Sequence, residues 1–187
     1  MKRNNTNEAE FRVMYKQYFD PVARYCLRRL PEHSAQDAVS DVFLTAWRRF
    51  DSIPPGDQSL PWLYGIAKNV VRNINRSGRR SMRLSAKVKA QAHYPEPSPD
   101  VQVIRKEQDD ELVAALLTLK ADDQEVLRLR AYEGLSVKQI SIAIGCSEEA
   151  AKKRVSRALC RLRKAAAIEV PVPSGVNPRA TQQGGER

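Results

Sequence analysis

The segment SVKQISIAIGCSEEAAKKRVSRALCRLRK, from Ser136 to Lys164, leaves this chain few ways to fold locally. Ser136 and Gln139 have the spacing of a capping box, in which each side chain satisfies a backbone N–H at a helix start. They predict a short helix over 137–144. Gly145 follows, suited to the left-handed backbone that ends a helix. Ser147 is a good N-cap for a second helix, with Glu148 and Glu149 at its positive dipole end. A short helix, a glycine turn and a longer helix make the plan of a helix-turn-helix. Ser141 is small enough for a close helix crossing, and Ala151 supplies an apolar packing position. On the second helix Ala151, Val155, Ala158, Leu159 and Leu162 share an arc of about 100°, expected to face the core.

The rest of that helix is cationic. Lys152, Lys153, Arg154, Arg157, Arg161, Arg163 and Lys164 surround the apolar stripe, and no acid follows Glu149 before Lys164. A helix that is only solvated usually interleaves Glu with Lys. A membrane-surface helix would set large apolar side chains against the charges, and this stripe is too rich in alanine for that. DNA is the better partner. The formal charge of +10 over 187 residues agrees with a polyanionic ligand.

A second basic segment lies far upstream. No Asp or Glu occurs between Asp57 and Glu96, and Lys68, Arg72, Arg76, Arg79 and Arg80 recur there near helical spacing. Asn69, Asn73 and Asn75 lie among them. Arginine grips phosphates, Asn reads adenine edges or unpaired bases, and such a cluster makes binding steeply salt-dependent. Trp62 and Tyr64 have two readings, a stacking platform for an unpaired base or an anchor in the core; the core reading is favoured, because both precede an apolar helix.

Apolar residues recur at helical spacing through most of the chain and strand-like alternation is absent, so the expected class is all-α. Three N-terminal helices are expected: one around Phe11–Cys26 interrupted by Pro21, one starting near Ser34 with Asp37 in an approximate capping box, and one from about Pro61 to about Arg76. From Ser77 the pattern collapses, and HYPEPSPD reads as a flexible linker. Helical spacing returns from Val101. The proline- and glycine-rich end reads as disordered. The division is 8–80 for the first helical domain, 81–101 for the linker, 102–168 for the second domain and 169–187 for the tail.

Cys26, Cys146 and Cys160 lack C-x-x-C spacing and are expected to be buried free thiols. His33 and His93 are far in sequence from any cysteine, so no zinc site is expected. No cofactor is expected, no secretory signal is readable, and no apolar run approaches a membrane span of about 18 residues. The expectation is a cytoplasmic protein. A nucleic-acid-processing enzyme would need clustered carboxylates or histidines around a metal, which the basic segments lack.

At this point the chain resembles a bacterial RNA polymerase sigma factor of the extracytoplasmic-function (ECF) group of the sigma-70 family. AQDAVSDVFLTAWRRF resembles the family's polymerase-binding helix, LPWLYGIAKNVVRNINRSGRR its −10 recognition segment, and LSVKQISIAIGCSEEAAKKRVSRALCRLRK its −35-reading helix-turn-helix. The three come in the family's order over roughly residues 8 to 165. The resemblance implies a three- to four-helix region 2 and a helix-turn-helix region 4, and no catalytic chemistry. It implies that core polymerase (the β′ clamp and β subunits) is met by Asp37, Asp41, Phe43, Trp47 and Arg48, of which Phe43 and Trp47 also fit the core stripe. For the −10 element it implies Lys68, Asn69, Arg72, Asn73, Arg76, Arg79 and Arg80, with a flipped-out base held by the loop Asp51–Leu60. For the −35 element it implies Ser147, Glu148, Lys152, Lys153, Arg154, Arg157 and Arg161. Partners implied are core polymerase, promoter DNA and an anti-sigma factor, often membrane-anchored, with no small-molecule substrate. The chain departs from the family at Asn73, often Asp, and at Ala150 and Ala151, where Thr and Val are usual; −35 base preference therefore does not transfer. A helix-turn-helix regulator that never becomes a polymerase subunit is the alternative.

Overall fold

The computed structural model describes residues 2–85 and 107–166. They form seven α-helices: α1 (Lys2–Leu27), α2 (Glu32–Arg48), α3 (Ser59–Ser85), α4 (Glu107–Thr118), α5 (Ala121–Ala131), α6 (Val137–Ile144) and α7 (Glu148–Ala165). Two single 3-10 turns, Phe50–Ser52 and Gly56–Gln58, lie between α2 and α3. There is no strand among the described residues, and no helix there is long and apolar enough to cross a membrane. The expected HYPEPSPD linker, His93 and the tail fall outside the described residues.

Helices α1, α2 and α3 pack on one another around Val22, Tyr25, Val42, Phe43, Leu63 and Ala67. The expected break at Pro21 does not occur: α1 runs through it. Proline forfeits one backbone hydrogen bond and crowds the carbonyl four residues earlier. Val22, Tyr25 and Cys26 just beyond it are fully buried, so packing carries the helix past the breaker. Helix α2 starts at Glu32 after Pro31, with no side-chain cap, so the Ser34–Asp37 capping box is not formed. Ala35 is buried in that first turn and donates its N–H to the Pro31 carbonyl, which draws Ser34 inside the helix. Helix α3 has Pro61 in its first turn, as expected, but continues nine residues past Arg76 to Ser85. Arg, Met and Leu there are good helix formers, and the single Gly78 is tolerated.

In the second group α4, α5 and α6 each pack against α7. The Ser136–Gln139 capping box is complete in both directions, Gly145 is left-handed at φ 68°, and the Ser147 hydroxyl accepts from the Ala150 N–H. Ala151, Val155 and Ala158 are buried, but Leu159 is exposed and Leu162 only half-buried. Three small side chains spaced four and three apart suffice to dock α7. Leu159 instead joins Val137, Val155 and Cys160 along a shallow groove between α6 and α7.

The cysteines are free but not all buried. Cys26 is in the core, where burial pushes its thiol up to about 11; Cys146 is half-buried, and Cys160 is exposed on the outer side of α7.

The two groups of helices also pack against each other, α3 on α6. Their buried residues form one continuous cluster. At Gly65 a Cβ would stand only 3.0 Å from the Ala143 carbonyl oxygen, so the backbones touch there because the residue is glycine. Beside this contact Tyr25 stacks on Tyr64 with ring centroids 5.1 Å apart. The Tyr25 hydroxyl donates to Glu125 at 2.6 Å. Arg29 lies 3.5 Å above the Tyr25 ring and donates to Glu125 and Glu133 at 3.0 and 3.1 Å. Arg28 also pairs with Glu133. The Arg29 and Glu133 side chains keep only 3% and 2% of their surface exposed.

Candidate nucleic-acid interface

Three exposed helix faces carry the residues singled out in the sequence. On α3, the apolar positions Leu63, Ile66, Ala67 and Val71 are buried, which turns Asn69, Arg72, Asn73 and Arg76 outward. Their spacing sets them in one stripe along the helix. Arg79 and Arg80 lie one turn further along the same helix. Ahead of α3, the Ser59 hydroxyl donates to the carbonyls of Pro54 and Gly56, closing the preceding loop onto the helix start. Tyr64 is a core residue, its hydroxyl pushed up to about 12 by burial, and half-buried Trp62 packs against that core.

Lys68 differs from its neighbours on α3. It is half-buried, and burial lowers its pKa below that of an ordinary lysine. Asp122 and Glu125 of α5 pull the other way, while Arg154 of α7 and Arg72 add to the lowering. The packing of the two helix groups thus brings the basic segment of α3 close to the start of the basic face of α7.

On α7, Lys152, Lys153, Arg154 and Arg157 are all exposed, past a first turn in which Ser147 and Glu148 are exposed too. Lys153 reaches back to Glu149 at 2.8 Å, a fully solvated pair of little energetic weight. Arg161 is different, because both oxygens of Asp123 accept from it at 2.9 and 2.7 Å. Its guanidinium therefore ties α7 to α5 and is less available to an anion than those of Arg154 and Arg157.

The third face is on α2. Asp37, Asp41 and Arg48 are exposed, and so is Trp47, whose ring meets Phe11 edge-on at 5.0 Å. Phe43 is buried, with Tyr15 and Phe19 against it, so of its two readings the core one describes its position. Sequence reasoning passed over Leu44. It is 47% exposed between Asp41 and Arg48, three residues from one and four from the other, a spacing that could have revealed it. The Arg28–Arg29–Glu125–Glu133 network was also missed, and its members are about a hundred residues apart, so no local signal points to it.

Residues 14–81 match the family model of sigma-70 region 2, and residues 109–162 match that of sigma-70 region 4. Over 168 residues the chain is 32% identical to the ECF RNA polymerase sigma factor BldN of Streptomyces coelicolor, covering 87% of this chain and 64% of the relative. It is 30% identical over 128 residues to the ECF RNA polymerase sigma factor EcfG of Rhodopseudomonas palustris, covering 68% of each. A further relative, from Xanthomonas campestris, is 32% identical over 133 residues, and there the chain spans 33% of the relative's length. In fold the chain is similar to the sigma factor RpoE in its co-crystal structure with the anti-sigma factor NepR from Bartonella quintana. That similarity has a TM-score of 0.61 at 23% identity and covers 86% of this chain and 99% of the other.

Proposed function

The chain belongs to the ECF sigma factors of the sigma-70 family, and from that premise we propose that it binds core RNA polymerase and directs promoter-specific initiation. The observation that carries this reading is the pair of exposed cationic helix faces on α3 and α7, one in each of the segments that match regions 2 and 4. Sigma factors are regulatory subunits rather than enzymes, and this chain is assigned no catalysis of its own.

The division of labour follows from chemistry. The α2 face combines acids, a cation and apolar surface, a mixture suited to a protein partner; Asp37, Asp41, Trp47 and Arg48, with Leu44, are assigned to the polymerase clamp. The stripe Asn69, Arg72, Asn73 and Arg76, continued by Arg79 and Arg80 and flanked by Lys68, is assigned to the −10 element. Arginines there hold the phosphates while amides meet bases as they leave the stack. Capture of unstacked bases supplies binding free energy to strand opening, so no hydrolysis is required. In region 4, Lys152, Lys153, Arg154 and Arg157 enter the −35 major groove with the exposed first turn at Ser147 and Glu148. Arg161 acts by holding α7 on Asp123. The regions are assigned to residues 8–80 and 102–168, the site of action is the cytoplasm, and an anti-sigma factor is the expected masking partner.

The test is transcription with purified core polymerase over a genomic promoter library. Initiation at a defined promoter set only when this chain is added is the expected result. If no promoter responds and no complex with core polymerase forms, the reading fails.

A further inference from the structure

A promoter read at two elements requires the two basic faces to stand far apart. Elements named −10 and −35 are separated by about 25 base pairs, or roughly 85 Å of duplex at ~3.4 Å per pair. In this structure Gly65 of α3 touches Ala143 of α6. Lys68 is three residues beyond that contact on one side, and α7 begins five residues beyond it on the other. At a rise of about 1.5 Å per residue, both basic faces start within a few turns of the same point. Region 2 and region 4 cannot hold both elements while this contact stands. The chain numbered 86–106 that joins the two groups has a contour length of about 70 Å, long enough to let them part.

The contact has the composition of a latch. It centres on a buried ionic cluster: Arg29 against Glu125 and Glu133, Arg28 against Glu133, and the Tyr25 hydroxyl on Glu125. Buried ion pairs return little net free energy relative to their hydrated, separated ions, but they fix geometry strictly. Arg28 Nε is buried there without a hydrogen-bond partner, which favours separation. Lys68 meanwhile faces carboxylates of the other group in place of phosphate.

We propose that this packing is a self-masked resting state, in which the chain's own α1 and α3 are latched to α5 and α6 and must part before both promoter elements are engaged. The inference rests on the two-element reading above. The device is intrinsic to the chain, because every group in the latch belongs to it.

Two variants of the full chain unlatch it differently. Gly65→Leu places a side chain where the Ala143 carbonyl stands, without altering charge and with a gain in helix propensity. Glu133→Gln weakens the partner of both Arg28 and Arg29, and Glu111→Gln, an exposed acid of the same half, controls for its charge. Dyes are attached at Q36C and K138C, both exposed, in a chain also carrying C146S and C160S. Energy transfer between them reports separation, and circular dichroism reports folding. Binding to a 40-base-pair mixed-sequence duplex is measured across a salt series. The expected result is high transfer in the parent chain, lower transfer in both variants, about tenfold tighter duplex binding and a steeper salt dependence, as both faces bind at once. Unchanged transfer in folded variants overturns the proposal, and so does opening with no change in duplex affinity or slope. If the variants open and bind as expected but no chain binds core polymerase, the transcription reading fails and the latch stands.

Discussion

The two cationic helices, α3 and α7, reach the same kind of surface by different means. Helix α3 is long, has no acid in its first turn, and stands on large side chains: Leu63, Tyr64 and Ile66, with Tyr25, Val42 and Phe43 behind them. Helix α7 rests on Ala151, Val155 and Ala158, and is set by its ends: the Ser147 cap, the Gly145 turn and the Asp123–Arg161 pair. The first basic face is thus held by the volume of its core, the second by local hydrogen bonding. Damage to the core should therefore cost the first half most, and damage to caps should be felt in the second.

The largest expected effect is at Leu63, which is fully buried. Leu63→Ala should cost about 3 kcal/mol by loss of transfer energy and creation of a cavity. Urea titration followed by tryptophan fluorescence reads it in the first half alone, since Trp47 and Trp62 are the only tryptophans. A loss below about 1 kcal/mol would break the contrast.

Alkaline pH should separate the halves next. Tyr25, Cys26 and Tyr64 lie in α1 and α3, and burial raises all three, the thiol to about 11 and the Tyr64 hydroxyl to about 12. The folded state keeps them protonated while the unfolded chain releases their protons at lower pH. Their contribution is therefore complete below about pH 9 and is lost as pH rises through 9–12. The tryptophan-detected melting temperature should fall over that range, and a flat profile from pH 8 to 11 would contradict it.

Smaller again are the caps. Ser136→Ala and Ser147→Ala should each cost about 1 kcal/mol, seen by circular dichroism with the tryptophan transition little changed. Equal shifts in both signals would mean that the halves unfold as one, which the shared core cluster permits only if the latch is strong.

The smallest effect distinguishes two arginines of α7. Arg154→Ala should lower the slope of log affinity against log salt by about 1, as one phosphate contact is lost. Arg161→Ala should change that slope less and stability by up to about 1 kcal/mol, because its partner is Asp123. Identical slopes for the two variants would return Arg161 to the direct contacts.

What could be read from the sequence was local. The capping box, the left-handed glycine and the second N-cap occupy twelve consecutive residues, and each acts within one helical turn, so the helix-turn-helix was legible in full. The acid-free run on α3 was equally plain. Pro21 misled because a penalty of local geometry was outweighed by burial of the next turn. The Ser34–Asp37 spacing misled because Ala35 is drawn into the core one turn earlier. Leu159 misled because a helical wheel shows direction and not how wide a docking surface is. The latch was invisible for a different reason. Arg29 and Glu133 are unremarkable charges in sequence, and only the fold makes them neighbours.

The narrow seat of α7 has an engineering consequence. Since Ala151, Val155 and Ala158 alone are buried on it, the outward positions carry almost no folding duty. They can be rewritten to address new promoters while the scaffold stays constant, which makes this helix a replaceable reading head for synthetic transcription circuits.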